Sequence, residues 1–130
     1  MAEKFMLLVE DNPDDEILTL HALQENKILN RVVVARDGVE ALETVMAEQI
    51  DLVVCDLQMP RMNGFEFLHA LRNLEGHTHQ PVIAISGLAS SADHRRIKAG
   101  GFAGHVDKPF DDVRLLAAIE DAMTRRSPTA

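Results

Sequence analysis

Five short apolar runs recur along the chain, and each is followed by a segment whose apolar residues have helical spacing. Polar and apolar residues do not alternate within the runs, which is typical of strands buried on both faces of a parallel sheet. Parallel strands joined through a helix cross over with a right hand. The pattern therefore predicts an α/β fold built on a doubly wound, five-stranded parallel sheet. The predicted strands lie at residues 5–9, 31–35, 52–55, 81–86 and 103–107, and the predicted helices at about 14–26, 39–46, 64–75, 92–99 and 111–123.

The length and composition of the chain limit what this sheet can belong to. With 130 residues, 46% of them hydrophobic, we expect one domain at residues 1–130, with a core at about 5–124 and a tail at 125–130. The formal net charge of −8 argues against non-specific binding of nucleic acid. No apolar run is long enough to cross a bilayer, so we expect a cytoplasmic protein without membrane insertion. The single cysteine, Cys55, allows no internal disulfide and is expected in the core.

The stretch from Asp51 to Gly64 places an acidic residue at the end of a buried strand. The apolar run Leu52–Cys55 is followed directly by Asp56, and Pro60 and Gly64 interrupt regular structure before the next helical pattern. Open α/β sheets bind ligands outside the carboxyl ends of their strands. An aspartate at a strand end also commonly caps the following turn, so Asp56 alone favours that ordinary interpretation.

Polar residues follow four of the five predicted strands. In the strand order 2-1-3-4-5 of flavodoxin-like (βα)5 sheets, all strands end at the same edge, and the topological switch point lies between strands one and three. Each polar residue alone could be a loop residue, a cap or a solvated charge, but their coincidence at one edge indicates a site. They are Glu10 and Asp11 after strand one, Asp56 after strand three, Ser86 at the end of strand four and Lys108 after strand five.

The chemistry of these residues favours a divalent cation and phosphoryl transfer. Three carboxylates at one edge repel one another, and a hard cation such as Mg²⁺, with Mn²⁺ as a substitute, relieves the repulsion while keeping them ionised. A carboxylate can attack phosphorus and form an acyl phosphate. The protein then contributes positioning and charge stabilisation, for which Lys108 is suited. His77 and His79 are also spaced to share a metal, but a surface loop is the simpler interpretation.

The same residues resemble the receiver domains of two-component response regulators, in particular stand-alone receivers similar to chemotaxis regulators. The resemblance covers about Phe5 to Met123. It implies a signalling phosphoacceptor rather than an enzyme, with at most self-catalysed phosphorylation and dephosphorylation. It also implies a histidine kinase or a histidine phosphotransfer protein as the partner. The matching motifs are Glu10-Asp11, the run D-L-Q-M-P-R-M-N-G from Asp56 to Gly64, Ser86-Gly87 and Lys108-Pro109.

The resemblance implies a set of Mg²⁺ ligands. Asp11 and Asp56 would bind the ion directly, and the backbone carbonyl of Gln58 would complete the protein ligands. Glu10 would act through a water molecule. It replaces the more usual aspartate, but its longer side chain should still reach the water shell of the ion.

The resemblance implies a second group that acts on the phosphoryl group. Asp56 would accept it, Ser86 and Lys108 would contact its oxygens, and a cis Lys108–Pro109 peptide bond would direct the lysine into the site. His105 stands where relatives usually have Tyr or Phe, the ring that turns inward on phosphorylation. We therefore expect a switch formed by Ser86 and His105, with His105 inward and neutral in the phosphorylated state. The alternative is a His105 that stays exposed in both states.

Two other classes of function fit part of the pattern. A magnesium-dependent phosphohydrolase with an aspartyl nucleophile, similar to the haloacid dehalogenase group, would share Asp56 and the metal. That class requires a second acid two residues further on, where this chain has Gln58. A receiver-like scaffold that binds partners without phosphorylation is the other alternative, and the sequence leaves it open.

Output is expected to occur by docking to a downstream protein, without direct contact to nucleic acid. We expect the fourth helix, the fifth strand and the fifth helix to form the output face, and the first helix with its adjoining loops to receive the donor. A solvated helix face is an equally open interpretation of the basic residues involved. The basic residues are His94, Arg95, Arg96 and Lys98 of the fourth helix. The apolar residues Phe110, Leu115 and Leu116 begin the fifth helix.

Overall fold

The structure is a computed structural model that describes residues 5–25, 31–59, 62–77, 79–87, 91–108 and 112–125. Within these ranges, strands and helices alternate along the chain, as the sequence predicts. The elements are β1 (Phe5–Val9), α1 (Pro13–Glu25), β2 (Arg31–Ala35), α2 (Gly38–Ala47), β3 (Leu52–Asp56), α3 (Gly64–Arg72), β4 (Val82–Ser86), α4 (Ser91–Ala99), β5 (Gly104–Asp107) and α5 (Asp112–Arg125).

The five strands form one parallel sheet in the order β2-β1-β3-β4-β5, which confirms the predicted fold class and strand order. The register brings the carboxyl ends of the strands to one edge. Val9 of β1 pairs with Cys55 of β3, and Asp56 pairs with Ile85 of β4. Ser86, the last residue of β4, pairs with Asp107 of β5. Polar residues that follow these strands are therefore neighbours.

Alternate strand residues enter two hydrophobic layers, one on each face of the sheet. Leu7 and Val53 pack in the layer closed by α2 and α3, whereas Leu8 and Val54 pack in the layer closed by α1 and α5. Every residue of β3 and β4 is buried. This double burial explains the apolar runs without alternation. Cys55 is fully buried in the first layer, as predicted.

Helix α4 covers the sheet through a separate, smaller contact. Its buried residue Ile97 packs with Ala84 of β4 and with Leu57. Phe65 and Phe102 lie beside this group with ring centroids 5.9 Å apart, and the guanidinium of Arg96 lies 3.9 Å from the ring centroid of Phe65. Only a small group of side chains among the described residues therefore determines how α4 lies on the sheet.

Two helix starts have clear local causes. Pro13 is the first residue of α1, and the side chain of Asn12 accepts hydrogen bonds from the backbone N–H groups of Asp14 and Asp15 at 2.9 and 3.2 Å. Asp37 caps α2 by accepting a hydrogen bond from the N–H of Glu40 at 2.9 Å.

Helix α3 ends at Arg72 instead of about Glu75, so the predicted end is wrong. The cause is local competition for backbone groups. The side chain of Asn73 donates a hydrogen bond to the carbonyl of His69 at 2.8 Å, and the following turn tightens to bonds between residues three apart. Gly76, with a φ of 87°, then redirects the chain.

None of the described helices is both long and apolar enough to span a bilayer. Some predicted features lie outside the described residues. Helix α5 continues to Arg125, which was predicted to belong to the tail. The predicted features outside the described ranges are Pro60, Pro109, Phe110, the start of the fifth helix at Asp111 and the tail at 126–130.

Candidate functional site

The sheet itself positions three of the predicted site residues. The first and fifth strands continue their hydrogen bonding by one residue beyond their ends: the N–H of Glu10 donates to the carbonyl of Ala35 at 2.9 Å, and the N–H of Lys108 donates to the carbonyl of Ser86 at 2.8 Å. Asp56 is itself the last residue of β3. Because the backbone of these residues belongs to the sheet or bonds to it directly, the side chains of Glu10, Asp56 and Lys108 project from the carboxyl edge of the sheet.

The ammonium group of Lys108 lies at the centre of the cluster. It donates to Asp15 Oδ2 at 2.8 Å, to Asp56 Oδ2 at 3.1 Å and to Glu10 Oε1 at 3.4 Å. Burial alone would lower the pKa of Lys108, but the hydrogen bond to Asp15 and the negative charges of Asp56 and Glu10 outweigh it and raise the pKa above its ordinary value. Lys108 is therefore a permanent cation at neutral pH.

The other oxygen of Asp56 is held by the loop that follows β3. Asp56 Oδ1 accepts a hydrogen bond from the backbone N–H of Gln58 at 2.9 Å. The side-chain carbonyl of Gln58 in turn accepts from the N–H of Gly87, after β4, at 3.3 Å. Asp56 is only 3% exposed, so these contacts fix the direction of a nearly buried carboxylate.

Glu10 is fully buried, and its surroundings favour the protonated form. Burial raises the pKa of Glu10 to about 8, and the hydrogen bond with Asp56 and the negative charge of Asp56 act in the same direction. The charge of Lys108 and the N–H of Asn12, 3.4 Å from Glu10 Oε2, oppose the shift. Burial and the neighbouring Asp56 therefore outweigh the favourable charge of Lys108 at this position.

These carboxylates fit a hard divalent cation. One oxygen each of Glu10, Asp11 and Asp56 lies within 4.8 Å of the other two. Magnesium coordinates oxygen ligands at about 2.0–2.1 Å, so small side-chain movements bring these atoms onto one ion. The negative charge of Asp56 contributes to the raised pKa of Glu10, and a cation bound between these carboxylates would reduce that repulsion.

The structure also places the remaining predicted residues. Ser86 is fully buried and follows Ile85, the partner of Asp56, so it lies on the strand beside the expected phosphoacceptor. His105 of β5 pairs with Ala84 of β4, and its side chain is 25% exposed. The imidazole ring of His105 lies beside the ring of His94 on α4. The proposed inward and outward positions of His105 stay a prediction. The cis peptide predicted before Pro109 falls outside the described residues.

The sequence interpretation missed one cluster residue and misassigned another residue. Asp15 was not among the predicted site residues, yet it makes the shortest contact of the Lys108 ammonium group. The available signal was its place in the first turn of a helix that begins just after β1, at the functional edge. Leu115 was grouped with the output face, but it is a fully buried residue of α5 that packs in the core, so it cannot contact a partner.

The sequence matches the model of the response regulator receiver domain family over residues 6–120. The chain therefore belongs to the receiver domains of two-component signalling.

Known relatives include both short and long proteins. The chain is 30% identical over 117 residues to the polar-differentiation response regulator DivK of Brucella ovis, a match that covers 90% of this chain and 94% of DivK. It is 33% identical over 121 residues to hybrid signal transduction histidine kinase D of Dictyostelium discoideum, where the match covers 93% of this chain but 8% of the kinase. The crystal structure of the chemotaxis protein CheY4 of Vibrio cholerae superposes with a TM-score of 0.83 at 30% identity, covering 93% of this chain and 99% of CheY4.

Proposed function

We propose that Asp56 accepts a phosphoryl group from a phosphohistidine of a partner protein, either a histidine kinase or a histidine phosphotransfer protein. The observation that carries this proposal is the position of Asp56. It is a nearly buried carboxylate at a strand end, with Oδ2 3.1 Å from the ammonium of Lys108 and with two further acids beside it. Membership of the receiver family supports the same role and a cytoplasmic location.

The transfer would proceed by direct attack. One carboxylate oxygen of Asp56 forms the new P–O bond while the P–N bond to the donor imidazole breaks, and the bonding electron pair returns to the imidazole nitrogen. The product is an acyl phosphate. Negative charge then lies on the phosphoryl oxygens instead of on the aspartate. Lys108, now lacking one of its carboxylate partners, would contact these oxygens, and so would the hydroxyl of Ser86 from the next strand.

The acidic residues would hold Mg²⁺, with Mn²⁺ able to substitute. Asp11 and Asp56 would be direct ligands, Glu10 would act through a water molecule, and the backbone carbonyl of Gln58 would complete the protein ligands. When bound, the ion supplies charge neutralisation for the carboxylates and the phosphoryl oxygens. Glu10 would release its proton on metal binding, since the positive charge of the ion would lower the raised pKa of this carboxyl.

The test is incubation with acetyl phosphate and Mg²⁺, followed by intact mass spectrometry. We expect one phosphoryl adduct per chain, none with chelator and none in Asp56→Asn. Asp121→Asn, which removes an exposed carboxylate on α5, is the matched control and should be phosphorylated like the wild type. Release of inorganic phosphate without an adduct would indicate the phosphohydrolase, and the absence of both would indicate the scaffold.

The output face is proposed to consist of α4, β5 and α5. Its support is the run of exposed cations on α4, which contrasts with a chain of net charge −8. Arg95→Glu and Arg96→Glu should weaken capture of an acidic downstream partner while phosphorylation continues. Arg31→Glu, a charge reversal on β2 at the opposite end of the sheet order, is the control. Loss of phosphorylation in the α4 variants would contradict this separation of surfaces.

A further inference from the structure

We propose that His94, His105 and Asp107 form a second metal site, between α4 and β5, for a first-row transition-metal dication such as Zn²⁺. The site uses none of the residues assigned above to phosphoryl transfer or magnesium binding, and it does not depend on the proposed function.

The fold brings the three side chains together by two regular patterns. On β5, Val106 is buried in the layer under α1 and α5, so its neighbours His105 and Asp107 project from the opposite face. On α4, Ile97 packs against the sheet, and His94 lies one helical turn before it on the same side. His94 is thereby held over the end of β5.

The separations of the donor atoms match a shared ion. Asp107 Oδ1 lies 3.4 Å from His94 Nε2 and 3.0 Å from His105 Nε2. Ligands bound at about 2.0–2.1 Å in a tetrahedral zinc site are roughly 3.3–3.5 Å from each other. One donor atom from each residue lies within 4.8 Å of the others, so the two imidazoles need only a small approach.

One donor is buried without a hydrogen bond. Nε2 of His105 is inaccessible to solvent and has no hydrogen-bond partner among the described residues, although Asp107 lies at ion-pair distance. The short separation without hydrogen-bond alignment indicates that the nitrogen and the carboxylate do not satisfy each other directly. A buried, unpaired polar atom is costly, and a metal bound between the two would satisfy both.

The donor set and its surroundings define the class of ion. Two imidazoles and one carboxylate are typical ligands of Zn²⁺ and related transition metals, whereas Mg²⁺ prefers an all-oxygen set. The three residues line an open cleft of about 520 Å³, together with Lys98, Phe102 and Gly104. The cleft leaves room for a water molecule as the fourth ligand.

An ion at this position would join α4 to β5 and limit the movement of α4. Asp107 directly precedes Lys108 and pairs with Ser86, so the site borders the phosphoacceptor edge without belonging to it. The ion would therefore act as a clamp on the helix.

Zn²⁺ titration of the full chain in saturating Mg²⁺, followed by calorimetry and by NMR of the imidazole nitrogens, tests the proposal. We expect one ion per chain and altered resonances of His94 and His105. His94→Ala should weaken binding by more than about 10-fold, since even loss of a residue that only orients a metal ligand costs roughly 10–100-fold. His94 is 44% exposed, so this variant should fold normally. Zn²⁺ should also raise the Tm of the wild type more than that of His94→Ala.

His79→Ala, which removes an exposed histidine outside the cluster, is the matched control and should bind like the wild type. Asp56→Asn should also retain the site, which separates this proposal from the proposed function. Equal affinity of His94→Ala and the wild type would overturn the inference. So would resonance changes confined to His77 and His79, or binding that disappears in Asp11→Asn.

Discussion

Replacement of Glu10 by Gln should stabilise the metal-free protein at neutral and alkaline pH. The carboxyl of Glu10 is fully buried beside Asp56 in the wild type. Burial and the charge of Asp56 make its ionised form unfavourable. Glutamine has nearly the same size, fills the same space and can donate its amide N–H to Asp56, but it carries no charge.

The magnitude follows from the pKa of Glu10, which is about 8 in the folded protein against an ordinary 4.5. Between these two values the folded state keeps a proton that the unfolded state has released, so the free energy of unfolding must fall as pH rises. At 1.36 kcal/mol per pH unit, the full effect above pH 8 is about 5 kcal/mol, and at pH 7 it is roughly 3 kcal/mol. Below pH 4.5 the effect vanishes.

Urea unfolding at several pH values between 4.5 and 8.5, in the presence of chelator, measures this difference. The wild type should lose stability across the range, and Glu10→Gln should lose much less. Glu43→Gln, at an exposed position of α2, serves as the control and should follow the wild type. If Glu10→Gln were less stable than the wild type at pH 8, the burial of charge at Glu10 would not be the dominant effect.

Three further substitutions test other parts of the structure. Lys108→Met should lower the free energy of unfolding by roughly 3 kcal/mol at pH 7 in chelator, because it leaves a carboxylate cluster without its cation; urea unfolding of a variant as stable as the wild type would contradict this. Gly64→Ala should lower the free energy of unfolding by about 1–3 kcal/mol and should slow phosphorylation. The added Cβ would lie 2.5 Å from Leu57 Cδ2 and 2.9 Å from Leu57 Cα, and rotation of a side chain cannot relieve the contact with the backbone. Asp37→Ala removes the cap of α2 at Glu40 and should cost about 1 kcal/mol in a thermal melt.

The fold and most of the site could be predicted because both depend on short, regular patterns. Runs such as Leu52–Cys55 are buried on both faces, and that requirement leaves a strong signal in the sequence. Once the strands are parallel and their order is known, residues that follow them must meet at one edge. Asp56 and Lys108 therefore needed no knowledge of side-chain packing to be placed together.

The features that could not be predicted depend on packing between elements. The position of Asp15 next to Lys108 results from the orientation of α1, and the contact of His94 with Asp107 results from the packing of α4 on the sheet at Ile97. The early end of α3 depends on whether the Asn73 side chain competes for a helix carbonyl, which residue type alone does not decide. These contacts are determined by tertiary packing, which the pattern of residue types does not specify.

The contacts of Lys108 have a consequence for the biogenesis of the protein. The ammonium of Lys108 contacts Glu10, which lies 98 positions earlier in the sequence. The cluster therefore combines residues that follow β1 with a residue that follows β5. Contacts of such long sequence separation form slowly, because the entropy cost of closing a long loop comes before the contact stabilises the fold. A chain still emerging from the ribosome, or one truncated before β5, would lack the lysine and so the complete site. The complete cluster should therefore form only after β5 has joined the sheet, and the proposed phosphorylation of Asp56 would then report on co-translational folding.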